Sequence, residues 1–88
     1  MASVHLPRSL VTLFPDPPPR QLELDAATVL ELVEQLEERW PGVRDRLCQP
    51  GPAFREHINV FIDGERVGID ARLSATSVVH FIPAVAGG

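Results

Sequence analysis

The amino-acid sequence predicts a two-layered α+β domain, in which one main helix packs on one face of a mixed sheet of four to five strands. Short runs of alternating apolar and polar residues recur along the chain, as is typical of half-buried strands. A single longer stretch has the apolar spacing of an amphipathic helix. Because one helix cannot cover both faces of such a sheet, we expect the other face to be open.

Length and composition indicate one small domain and exclude several classes of function. The 88 residues are 44% hydrophobic and 23% charged, with a formal net charge of −4. A chain of this size holds one small core but hardly an internal active-site cavity as well. No apolar run is long enough to cross a membrane, and the lack of clustered basic residues argues against a nucleic-acid partner. The N-terminus has no basic and apolar leader, so we expect no signal peptide and a cytoplasmic location.

The first half of the chain predicts two strands separated by a proline-rich loop. Residues 3–6 and 21–25 alternate in polarity, as strands with one buried face do. Residues 7–20 contain five prolines, which exclude a regular helix or a central strand. We expect the larger apolar residues of this loop to cover one edge of the core; they are Leu10, Leu13 and Phe14.

The main helix follows the second strand. Thr28 and Glu31 have the spacing of a capping box, in which each side chain bonds to the other residue's backbone N–H. The apolar residues then repeat at helical intervals, namely Val29, Leu32, Val33, Leu36 and Trp40. Pro41 and Gly42 predict the end of the helix, and residues 43–47 predict one further short turn.

The second half of the chain predicts three more strands. Residues 57–62 alternate, Asp63 and Gly64 form a turn signal, and residues 65–69 supply a short fourth strand. Residues 77–82 form the last strand, with Val79 and Phe81 on one face. The long stretch between the first and last strands lets these two run parallel in the middle of the sheet.

The final segment contains the strongest functional signal. We expect residues 1–83 to form the domain and residues 84–88 (AVAGG) to form a flexible tail that is small, uncharged and able to enter a narrow channel. The reactive group at its tip is the main-chain carboxylate of Gly88. Once adenylated with ATP, it can react with sulfide to give a thiocarboxylate or with an amine to give an amide. Neither fate needs a catalytic side chain in this chain, and the ATP site is expected in a partner because no phosphate-binding loop is present.

Four stretches of the sequence resemble the MoaD/ThiS family of ubiquitin-like sulfur carriers. They are residues 28–29 (TV), 38–43 (ERWPGV), 59–64 (NVFIDG) and 81–88 (FIPAVAGG). The resemblance spans nearly the whole chain, and its C-terminal part is the most specific. It implies a β-grasp fold, no enzyme activity in the chain itself, and a Gly88 thiocarboxylate made by an adenylyltransferase related to the ubiquitin activators. No bound cofactor is implied.

Within this family the sequence is most similar to carriers of the CysO type, which supply sulfur to a cysteine synthase. Leu6 and Pro7 after the first strand and the PAVAGG ending carry this similarity. Two alternatives are open: a molybdopterin synthase small subunit, whose partner is the large subunit, and a modifier conjugated to protein lysines. The Arg8-Ser9-Leu10 segment matches only part of the pattern usual in molybdopterin synthase, and residues 74–77 depart from the family's usual turn.

The expected partner-binding residues are the tail and a small patch beside it. Phe61 and Ile82 have the same outward parity and are interpreted as a docking patch, with isolated surface apolar residues as the alternative. His80 is expected to bind the partner as well. Gly88 carries the reactive group, and the remaining tail residues that bind the partner are Gly87, Ala86, Val85 and Ala84.

Two other features have competing interpretations. His5, His57 and His80 share an outward parity, which allows a three-imidazole metal site but favours a scattered set of surface histidines, so no metal is assigned. Cys48 is interpreted as a small buried residue, with a sulfur-relay thiol as the alternative.

Overall fold

The computed structural model describes residues 1–51 and 53–83, and the predicted tail lies outside these ranges. The described residues form seven strands and three helices. The strands are β1 (Ala2–His5), β2 (Gln21–Leu24), β3 (Cys48–Gln49), β4 (Ala53–Phe54), β5 (Ile58–Ile62), β6 (Glu65–Val67) and β7 (Val78–Pro83). The helices are α1 (Arg8–Val11), α2 (Val29–Arg39) and α3 (Val43–Leu47).

Five of the described strands form one mixed sheet in the order β2-β1-β7-β5-β6. The first and last strands run parallel at its centre, with Val4 opposite Val79. The other strand pairs of this sheet are antiparallel. The predicted parallel pairing of the chain's first and last strands is therefore confirmed, as is the mixed sheet.

The core lies between α2 and one face of the sheet. Every apolar side chain on the inner side of α2 is fully buried, as are the inward residues of the two central strands. These residues are Val29, Leu32, Val33 and Leu36 of α2, together with Val4 and Val79 of the sheet. Burying each such side chain stabilises the fold by roughly 1.5–3 kcal/mol. On the opposite face of the sheet, His5 of β1, His80 of β7 and Phe61 of β5 are only half-buried.

The start of α2 and its connection to α3 depend on side chains that accept backbone hydrogen bonds. The hydroxyl of Thr28 accepts a bond from the backbone N–H of Glu31 at 3.2 Å. At the other end, the Glu37 carboxylate accepts bonds from the backbone N–H groups of Gly42 and Arg44, at 3.0 and 2.9 Å. Gly42 has φ +107°, a left-handed conformation that favours glycine. The helix ends at Arg39, just before Pro41 and Gly42, and α3 follows, so the predicted stop and the short turn after it are confirmed.

The loop after β1 differs from the prediction because it contains α1. Its prolines stand at position 7 and from position 15 onward, which leaves residues 8–14 free to form one helical turn. Pro7 is the N-cap residue, where its missing N–H costs nothing, and its carbonyl accepts bonds from the backbone of Leu10 and Val11. Leu10 is buried as expected, but the prediction for Leu13 was wrong, since 54% of this residue is exposed.

Two further details differ from the prediction. Residues 49–52, predicted as loop, include the end of β3, which pairs with β4 in a two-stranded ribbon. Strands of two residues are too short to show an alternating pattern, so the sequence contains no signal for them. The capping box is only half formed among the described residues: the Thr28 hydroxyl accepts the bond from the Glu31 N–H, but the Glu31 side chain accepts none from the Thr28 N–H.

The turn between β5 and β6 also anchors the start of β7. Asp63 and Gly64 have φ angles of +51° and +86°, as a type I′ hairpin requires. The Asp63 backbone N–H donates to the Val78 carbonyl at 2.9 Å, and the Val78 N–H donates to the Asp63 carboxylate at 3.0 Å. The predicted turn is confirmed, and it connects one end of β5 to β7. None of the helices in the described ranges has the length and apolar character needed to cross a membrane.

We predict that replacing Thr28 with alanine lowers the free energy of unfolding by about 1 kcal/mol, because α2 then loses the acceptor for one of its first N–H groups. Thr28→Ser keeps the hydroxyl and is the matched control. Urea titrations followed by circular dichroism measure both variants. Equal losses for alanine and serine would show that the methyl group, not the hydroxyl, stabilises the helix start.

Candidate interaction site at the end of the last strand

The described part of the chain ends at Pro83, where β7 ends. The tail residues predicted to act, Ala84, Val85, Ala86, Gly87 and Gly88, lie outside the described residues, so their roles stay predictions. The structure instead describes the base of the tail and the surfaces on either side of it. These surfaces are the open face of the sheet and a cleft beside the end of β7.

One row of side chains crosses the open face from edge to edge. The strand registers place His5 opposite His80, His80 opposite Phe61, and Phe61 opposite Arg66, with Gln21 completing the row on β2. The imidazole rings of His5 and His80 are stacked, with centroids 4.3 Å apart and planes within 8° of parallel. The centre of the open face therefore carries three neighbouring ring side chains, of which those of His5 and His80 are stacked.

The predicted patch residues lie on this face. Phe61 and His80 are half-buried, and Ile82, which is the next outward residue of β7, is 46% exposed. Their common face is as predicted, and it exposes apolar atoms close to the end of β7. Their role in docking stays a prediction.

The third histidine does not join the other two. His57 precedes β5 and is exposed in a turn, so it has no place in the row that contains His5 and His80. Within residues 1–51 and 53–83, no group of three histidine, cysteine or acidic side chains is arranged to hold a metal ion.

A cleft that the sequence did not predict flanks the end of β7. It has a volume of about 610 Å³, and its lining includes Arg8, Arg20, His80, Ile82 and Pro83. The first β-pair forms its other wall: the backbone N–H of Leu6 donates to the carbonyl of Arg20 at 2.7 Å, just beyond the ladder between β1 and β2. Arg8 and Arg20 are twelve positions apart in the sequence. They line the same cleft because β1 and β2 pair.

Cys48 does not line this cleft; it is a buried residue at the start of β3. Burial raises the pKa of its thiol above the ordinary value of 9.0, against a smaller lowering by Arg44 and Arg55. The thiol is therefore protonated at neutral pH, which agrees with the interpretation as a small buried residue and argues against a nucleophilic relay thiol.

The comparisons with known proteins agree with this architecture. In the crystal structure of the Amycolatopsis orientalis BexX/CysO complex, one chain has a TM-score of 0.87 and 30% identity, with all of both chains covered. Mycobacterium tuberculosis CysO has a TM-score of 0.82 at 20% identity, covering 97% of this chain and 100% of that chain. SAMP1 from Haloferax volcanii has a TM-score of 0.78 at 23% identity, covering 99% and 98%. A comparison with curated proteins found no match.

The fold and its structural relatives define a ubiquitin-like β-grasp protein, as the sequence resemblance implied. The model of the ThiS family matches residues 7–88. The chain therefore belongs to the ThiS family.

We predict that the free energy of unfolding decreases above pH 9 and that Cys48 is the side chain responsible for the decrease. The folded thiol has the higher pKa, so the unfolded chain releases this proton first and is favoured as the pH rises past 9.0. The test is clean because the sequence contains no tyrosine and all eight of its Lys and Arg positions are arginine. Denaturant titrations from about pH 7 to about pH 10.5 should show the free energy of unfolding decreasing in wild type relative to Cys48→Ala. An increase would mean that the fold stabilises the thiolate, as a relay thiol requires.

Proposed function

We propose that this ThiS-family protein is a sulfur carrier of the CysO type. In this proposal the main-chain carboxylate of Gly88 is adenylated by a partner enzyme with ATP, which releases pyrophosphate. Sulfide then displaces AMP and gives the thiocarboxylate directly. A persulfide in place of sulfide gives an acyl disulfide, which a thiol of the sulfur donor cleaves to release the thiocarboxylate and form a disulfide on the donor. The thiocarboxylate donates its sulfur to a biosynthetic enzyme. The observation that carries the proposal is the 30% identity over the full length of both chains with a chain of the BexX/CysO complex.

The described residues support a protein that binds partner enzymes through its surface. The surface that matters here is the open face of the sheet, which carries side chains of the central strands. Beside the end of β7 it exposes apolar and aromatic atoms of Ile82, Phe61 and His80. We propose that this patch docks the activating and accepting enzymes while the tail, ending in Gly87 and Gly88, enters their active sites. Glycine suits a narrow channel because it has no β-carbon.

The favoured acceptor is an enzyme that makes cysteine from an activated serine, because the sequence resembles carriers of the CysO type and two similar solved structures contain CysO. A molybdopterin synthase large subunit is the alternative acceptor. A second alternative, conjugation to lysines of other proteins, follows from the similarity in fold to SAMP1, a small archaeal modifier protein. This chain contains no lysine, so an amide link made through its tail would need a lysine of another protein.

We predict that the chain ending at Gly88, incubated with ATP, a sulfide source and the adenylating enzymes of its own cell, gains the mass difference between sulfur and oxygen. Intact-mass spectrometry measures the change, and a fragment ion locates it at Gly88. A chain lacking Gly88 is the control and should gain nothing. If no adenylating enzyme of that cell converts the intact chain, the carrier proposal is wrong. A lysine-linked adduct in place of the thiocarboxylate would favour the modifier alternative.

We predict that Phe61→Ala reduces the efficiency of thiocarboxylate formation at least about tenfold, with the loss mainly in KM. The ring exposes apolar surface on the open face, and aromatic anchors in such patches often contribute more than 1 kcal/mol to binding. Unfolding by denaturant shows whether the domain stays folded. Leu13→Ala is the matched control, because Leu13 is exposed at a distance in sequence from this row. Equal activity of Phe61→Ala and wild type would show that the patch does not dock the activating enzyme.

A further inference from the structure

We propose that the cleft beside the end of β7 binds an acidic segment of the enzyme that acts on the tail, and that Arg8 and Arg20 are the residues that recognise it. This inference rests on the proposed function and deepens it, because it gives the partner a defined chemistry. The partner segment would carry two or more carboxylates next to an apolar side chain.

The charge of the cleft is the first argument. The chain as a whole is acidic, with twelve Asp and Glu residues against eight arginines. Among the described residues that line the cleft, however, there are two arginines and no carboxylate. The cleft is thus a positive site on a negative protein. Complementary charge favours a negative partner segment at this position and disfavours docking elsewhere on the surface.

The position of the two arginines is the second argument. Arg8 opens α1 directly after Pro7, and Arg20 directly precedes β2. The bond from Leu6 N–H to the Arg20 carbonyl, at 2.7 Å, holds the backbone segments that carry them side by side. Both side chains are exposed, so their guanidinium groups are accessible to a partner. Guanidinium groups bind carboxylates through paired N–H donors, which gives geometric specificity as well as attraction.

The apolar part of the cleft is the third argument, and it favours a protein segment over a free anion. The apolar surface that the cleft offers to a partner is that of Ile82, which is 46% exposed, since the neighbouring Leu6 and Phe81 are buried in the core. An inorganic anion gains no binding free energy from apolar surface, whereas a peptide segment can place an apolar side chain against Ile82. The cleft also adjoins Pro83, and Gly88 is the fifth residue beyond it. That distance is at most about 17 Å of chain, within reach of any enzyme that handles the tail.

The first experiment titrates the full-length, ¹⁵N-labelled chain with a short peptide of Asp, Glu and Leu residues. The matched peptide replaces each acid by its amide, and inorganic phosphate forms a third arm. We expect the acidic peptide to shift the amide signals of residues lining the cleft, with a Kd at least about tenfold lower than that of the amide peptide. Phosphate shifting these signals more strongly than the peptide would show a simple anion site and overturn the proposal.

Charge-reversal variants make this test specific. The double variant Arg8→Glu with Arg20→Glu should weaken binding of the acidic peptide at least about tenfold. The double variant Arg39→Glu with Arg72→Glu changes the net charge equally, at exposed positions that do not line the cleft. It should bind the peptide within about twofold of wild type. Equal weakening in the two variants would show that only net charge matters, which overturns the proposal. The ¹⁵N spectrum of each variant reports whether it is folded.

The second experiment applies the same variants to thiocarboxylate formation by the adenylating enzyme of the cell. Reversal at Arg8 and Arg20 should raise KM at least about tenfold with little change in kcat, while the Arg39 and Arg72 control keeps the wild-type KM. Wild-type activity in both variants would overturn the cleft proposal and leave the carrier function standing. If the wild-type chain is never converted, the carrier proposal fails, and the peptide titration still decides whether the cleft binds acidic segments.

Discussion

The parallel pairing of β1 with β7 is the interaction on which the rest of the structure depends. It joins the two ends of the described chain at the centre of the sheet, where Val4 and Val79 are fully buried in the core. Ser77 reinforces it, since its carbonyl accepts a bond from the Ser3 N–H at 2.9 Å while its own hydroxyl accepts one from Ser74. Because parallel pairs need a long crossover, everything between these strands is the connection that makes the pairing possible. The helix, the antiparallel edge strands and the turns all pack around this central pair.

The same pairing also builds the candidate site. It brings His5 against His80 and so forms the stacked rings on the open face. It places the loop after β1, with Arg8, beside the last residues of β7. Under the proposed function, a partner that binds the tail therefore contacts a surface composed of segments from both ends of the described chain. Positive charge, apolar surface and the base of the tail are adjacent there although they come from three separate segments.

Much of this arrangement follows from local patterns, and the remainder depends on contacts between distant residues. The alternation around Val60 and Val79 and the helical spacing of Leu32 and Leu36 predict the elements and their buried faces, because burial repeats with the period of each element. The ribbon of β3 and β4 is too short for any periodicity. The cleft was not predicted because its arginines stand outside the strands. They lie in a proline-rich stretch with no alternating pattern to predict which way their side chains face. Only the register of β1 on β2, with His5 opposite Gln21, would have brought Arg8 and Arg20 together.

The direction of the central strands has a practical consequence for handling the molecule. Because β1 and β7 are parallel, Met1 enters the sheet at the end where β7 begins, and Pro83 leaves it at the opposite end. Six residues of extended chain separate these ends, about 20 Å along the strand. An affinity label or surface tether attached ahead of Met1 would thus lie at the end of the sheet opposite Pro83. The end of the sheet at Pro83 would stay accessible to enzymes.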